Sequence, residues 1–196
     1  MEKTLERIVK KAKETLDRKL SAADSISPIA REAKIASDRA IALLHSGKES
    51  EALALLRKAQ GGIAALTSAL SRDPSLKSTN FQISLAFQEY AEAIILLHIL
   101  KGRDIPNVAA PPEEYLLGLA DAAGELNRAY LEARIRRDFK SSARYSEKVR
   151  EIEAAFSELD YPDFIVPSFR QKKDLVRRIY ESILSTESKD VSRKNR

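Results

Sequence analysis

Cysteine and tryptophan are absent from this 196-residue chain, and histidine occurs only twice. No disulfide, thiolate metal site or cysteine nucleophile can form. With His45 and His98 alone, zinc lacks its preferred ligands. Glycine and proline are also scarce, at 6 and 7 residues, so few positions interrupt regular structure. Walker loops, glycine-rich dinucleotide turns and Gly-x-Ser-x-Gly elbows are all missing. No apolar run exceeds Ala93–Leu97, which is too short to span a bilayer. The first residues carry no hydrophobic signal-peptide core. A cytoplasmic location without a membrane partner is the resulting expectation.

What is present favours helix. Hydrophobic residues make up 43% and charged residues 32% of the chain, with abundant Ala, Leu, Glu, Lys and Arg. Apolar residues recur at helical spacing from Glu2 to about Ser21 through Leu5, Ile8, Val9, Ala12 and Leu16, and again over Ile29 to Leu44. Pro28 between them either starts a new helix or kinks a long one. Further helices are predicted from a Ser50 cap to about Leu70, from Thr79 to Leu100, from Glu113 to about Asp138, from a Ser141 or Ser142 cap to Leu159, and from Phe169 to about Leu184. The pattern predicts a single all-α bundle of six or seven helices over residues 1–185. A polar, disordered tail is expected over 186–196.

Two carboxylate pairs carry the chemistry. Glu89 and Glu92 lie three apart in Gln88-Glu-Tyr-Ala-Glu-Ala93, and Asp121 and Glu125 four apart in Tyr115-Leu-Leu-Gly-Leu-Ala-Asp-Ala-Ala-Gly-Glu-Leu-Asn-Arg128. Those spacings place each pair on one face of its helix. Glu89 and Glu92 share their stripe with Leu85, Ala86, Ala93, Leu96 and Leu100, otherwise a core face. Like charges on an apolar stripe are destabilising unless a proton, a cation or a basic partner neutralises them. No basic residue lies between Phe81 and Ile99, so the neutraliser comes from another segment or from solution. Arg128, on the Asp121 and Glu125 face, is one structural candidate. Gly118 and Gly124 flank that face and predict the close approach of a helix or a ligand.

An all-carboxylate set favours Mg²⁺ or Mn²⁺. His98 is six residues after Glu92, so the Glu-x-x-His of di-iron bundles is missing; both histidines read as core or edge residues. Metal-assisted hydrolysis at a phosphate is the chemistry left. The net charge of +5 suits a polyanionic partner.

The two acidic motifs resemble the translin/Trax superfamily, its Trax side in particular. Arg31, Ser37-Asp-Arg39, Ile41-Ala-Leu-Leu-His45 and Arg170-Gln-Lys-Lys-Asp-Leu-Val-Arg-Arg178 add to the match, which spans about residues 29 to 184. The resemblance implies an all-α protein of a hollow oligomeric shell and a Mg²⁺-dependent endoribonuclease acting on single-stranded RNA, with single-stranded DNA a further ligand. It implies that Glu89, Glu92, Asp121 and Glu125 hold one or two metal ions. Arg31, Arg39 and Arg128 would then hold backbone phosphates or serve as structural ion pairs. The brief tail suggests a prokaryotic relative that forms a homo-oligomer. Two other readings stay open: an all-α nucleoside triphosphate pyrophosphohydrolase, which would carry Glu-x-x-Asp where this chain has Asp121-Ala-Ala-Gly-Glu125, and a non-catalytic nucleic-acid-binding shell.

Overall fold

A computed structural model describes residues 2–194; among the described residues there are seven helices and no strand. Helix α1 spans Glu2–His45, α2 Glu49–Arg72, α3 Leu76–Thr79, α4 Phe81–Leu100, α5 Pro112–Ile135, α6 Phe139–Ser157 and α7 Phe169–Lys194. The all-α bundle is as expected. Helix α4 is its centre: α1 and α2 pack against it, α5 covers a further face, and α5 in turn supports α6 and α7.

By length and composition alone α4 could cross a membrane. Here it is the core helix. Ile83, Ile95, Leu96 and Ile99 have 0% exposure, and burial of each stabilises the fold by about 1.5–3 kcal/mol. That is enough to hold two glutamates on an inner face. Asn80 sets the start of α4: its Oδ1 accepts from the Gln82 N–H at 3.0 Å, and its Nδ2 donates to Ser27 Oγ of α1 at 2.7 Å.

Several boundaries differ from the expected ones. Of the two readings of Pro28, a new helix or one long helix, the long one is found: α1 is continuous through it. Helix α2 begins at Glu49 rather than from a Ser50 cap, and the short α3 precedes α4. Helix α5 stops at Ile135, three residues early, because Arg137 adopts a left-handed φ of 59° and the Asp138 N–H closes onto the Ala133 carbonyl. Asp138, not a serine, then caps α6 by accepting from the Ser141 N–H. The segment from Thr186, expected to be disordered, continues α7 to Lys194; it contains no Gly or Pro to stop it. The last two residues of that expected tail lie outside the described ones.

The apolar stripe at the start of α1 also differs. Leu5, Ile8, Val9 and Leu16 are 57–64% exposed. The buried face of α1 begins at Ile26.

Candidate functional site

The site begins with the contact of α4 and α5. A Cβ at Gly118 would lie 2.5 Å from the Gln88 carbonyl oxygen and 3.1 Å from the Glu92 nitrogen. Only glycine permits this approach, and it answers the question raised by a glycine inside a helix. Gly124 is different: a Cβ there meets nothing within 4 Å. Gly118→Ala is expected to force the two helices apart and destabilise the protein by about 1–3 kcal/mol. Urea unfolding measures it; an unchanged midpoint would refute the close contact.

The contact brings the four acids towards one region. Glu92, 7% exposed, is the most buried of them and makes no hydrogen bond or ion pair with any described residue. Burial first, then the carboxylates of Asp121, Glu89 and Glu125, push its pKa up to about 9, so at neutral pH it carries a proton.

The other three acids have partners from elsewhere in the chain. Glu89 lies 3.7 Å from Lys34 Nζ of α1, which binds Asp38 at 2.6 Å. Burial and the neighbouring Asp38 push Glu89 up to about 7, against the pull of Lys34. Asp121 is held at both oxygens: Lys172 of α7 donates to Oδ1, and Gln88 donates to Oδ2 at 2.6 Å. Glu125 contacts Nε2 of His45, at the C-terminal end of α1, at 2.6 Å; the His45 side chain is 3% exposed. That hydrogen bond holds the Glu125 carboxyl below its usual range.

The partners of Glu89, Asp121 and Glu125 do come from other segments, while Glu92 keeps a proton instead. Their identities were not legible. Lys34 lies in no motif, Asp38, Gln88 and Lys172 sit inside motifs without being singled out, and His45 read as a core or edge residue. Arg128, a candidate partner of Asp121 and Glu125, instead binds Glu132 at 3.2 Å, though its charge still lowers Glu125. Arg31 and Arg39 are exposed on α1. Arg31 lines a groove of about 800 Å³ with Lys34, Ser27, Ile35 and Gln82, next to the Lys34–Glu89 contact.

As the side chains stand, no three acidic or imidazole groups among the described residues close on a common point as metal ligands. In charge and donor type the set nevertheless fits a hard divalent cation. All four site donors are carboxylate oxygens. Glu92 and Glu89 retain protons that a cation would displace, and the Lys172 ammonium already stands as a cation against Asp121.

The Translin family profile matches residues 21–181, which contain every residue of this site. The chain belongs to the Translin family. The translin-like all-α fold is shared with solved structures of two C3PO proteins. AfC3PO in complex with duplex RNA superimposes with a TM-score of 0.83 at 29% identity, covering 96% of this chain and 99% of that one. AfC3PO crystallised by itself gives 0.80 and 30% identity, with coverage of 90% and 93%. Apo-NeC3PO, at 20% identity and a TM-score of 0.77, covers 90% of this chain and 94% of its own; it supports the fold alone. An uncharacterised protein of Methanocaldococcus jannaschii is 33% identical over 103 residues, half of this chain and 46% of that protein's length. The chain therefore spans about half the length of that curated relative.

Proposed function

We propose that this Translin-family chain is an RNA-binding subunit of a homo-oligomeric shell and a Mg²⁺-dependent endoribonuclease of the Trax type. The observation that carries the proposal is Glu92: a buried carboxylate among three others, without a donor of its own, is what a cation site looks like when protons replace the cation. The relative AfC3PO, 29% identical over nearly the whole chain, supports RNA as the ligand because it has been solved with duplex RNA.

Glu89, Glu92, Asp121 and Glu125 are the residues that would hold Mg²⁺, with Mn²⁺ as a substitute. The bound ion would lower the pKa of a water and offset charge that builds on the phosphodiester. The chain's own side chains do the rest. His45 orients Glu125, and Gln88 orients Asp121, as outer partners orient metal-binding carboxylates. The buried faces of α4 and α5 restrict water around Glu92. Arg31, which lines the Lys34 groove, and Arg39, exposed further along α1, bind backbone phosphates; Arg128, already engaged by Glu132, contributes less.

The direct test incubates end-labelled RNA, single-stranded and duplex, with the purified protein in Mg²⁺ or in chelator. Internal cutting of the single strand with Mg²⁺ and none with chelator is expected; equal cutting in both would defeat the proposal. RNA affinity should fall with rising salt, and Arg31→Ala and Arg39→Ala should each reduce the slope of log Kd against log salt by about 1. Unchanged slopes would remove these arginines from the interface.

A second reading, the non-catalytic nucleic-acid-binding shell, is favoured by one observation: Lys34, Lys172 and His45 already engage three of the four acids. RNA binding without metal-dependent cutting decides for it. Translin-family membership weighs against the nucleoside triphosphate pyrophosphohydrolase.

A further inference from the structure

Lys172 stands out because it reaches the acidic cluster from α7, the helix farthest in sequence from α4, and takes the Oδ1 atom of Asp121. Gln88 takes Oδ2. Both Asp121 oxygens are therefore engaged while Lys172 is in place, and a cation approaching Oδ1 would meet the charge of the ammonium. The ammonium is only 26% exposed and its carboxylate 19%, so the pair is sheltered from solvent screening. The charge of Lys172 also reaches Glu92, the acid most in need of a cation.

We propose that Lys172 is a built-in counter-ion of the metal-free protein: it holds Asp121 until a divalent cation arrives, and yields that carboxylate to the cation. The inference rests on the reading of these four acids as a metal site and adds a residue to it. Two positive charges compete for one carboxylate, so the observed metal affinity is the intrinsic affinity reduced by the stability of the Lys172–Asp121 pair. The arrangement keeps the cluster assembled in the absence of metal, because Lys172 ties α7 to α5 across the site. A lysine suits the role better than an arginine. A single ammonium on a flexible stem can swing clear, whereas a guanidinium would grip both oxygens.

The test is calorimetric titration of the full chain with Mn²⁺, and with Mg²⁺, in the absence of RNA. Lys172→Met is expected to bind the metal roughly three- to tenfold more tightly than the parent, and Lys172→Arg more weakly than Lys172→Met. Lys173→Met removes the same charge from the neighbouring position, where the ammonium binds the Leu159 carbonyl at 2.7 Å outside the cluster. It should leave the affinity within about twofold of the parent, since that ammonium is held by the Ser157 and Leu159 carbonyls rather than by an acid of the cluster. Circular dichroism checks that each variant is folded, and Lys172→Arg carries the comparison if Lys172→Met is not. Metal bound by the parent with no tightening in Lys172→Met, or equal tightening in Lys173→Met, overturns the counter-ion role while leaving the metal site intact. No metal bound by the parent or by Lys172→Met overturns the role and the metal site together.

Discussion

Asp121→Ala is expected to lower Mg²⁺-dependent RNA cleavage by at least about a hundredfold while the protein still folds and still binds RNA. The size follows from comparison. Loss of a residue that merely orients a metal ligand typically costs ten- to a hundredfold, and Asp121 would be a ligand itself. Folding survives because the carboxylate sits at the edge of the core, with a fifth of its side chain exposed, rather than in the packed layer formed by Leu119, Ala122 and Leu126. RNA binding survives because the exposed arginines of α1 do not depend on Asp121. Gln88→Ala is the informative companion. It removes one of the two hydrogen bonds on Asp121 and leaves the acid, so a smaller loss, about tenfold, is expected. Cleavage by Asp121→Ala at the parental rate would place the activity elsewhere or in a contaminant.

Without divalent ions, the parent protein should lose stability as pH rises from 5 to 8, and Glu92→Gln should lose markedly less. An acid whose folded pKa exceeds its unfolded value binds its proton more tightly when folded. Between the ordinary value of 4.5 and about 9, unfolding therefore releases a proton from Glu92, and each rise in pH favours unfolding. Glu89 adds the same dependence between 4.5 and about 7. Glu125 acts oppositely: its lowered pKa contributes stability that is present above the ordinary carboxylate value and lost as pH falls below it. At about 1.4 kcal/mol per pH unit for one proton, the Glu92 contribution across this window is on the order of 4 kcal/mol. Urea denaturation at pH 5, 6.5 and 8 measures it. Added Mg²⁺ should restore stability at pH 8 in the parent and less so in the variant, because ligand binding to the folded state stabilises by mass action. Parallel pH profiles for parent and Glu92→Gln would show that Glu92 is not held protonated by its neighbours.

Much of this was written locally in the chain. Apolar periodicity marks each long helix, and spacings of three and four place Glu89 with Glu92 and Asp121 with Glu125 on common faces. Gly118, costly inside a helix, signals the tight α4–α5 contact that the structure contains. Elements without a local signal were misplaced. The end of α5 depends on a left-handed arginine where glycine is the usual marker.

The amino-acid order alone thus determined that two helices each present a pair of acids on an inward face, since a face is set by neighbours within one turn. Which partners answer those acids was decided only by tertiary structure. His45 and Glu125 are 80 residues apart, and Lys172 and Asp121 51 apart. Helix packing, not spacing, turns Lys34 and Lys172 towards carboxylates on other helices. Periodicity is a property of one helix; charge pairing across a bundle is a property of how several are stacked.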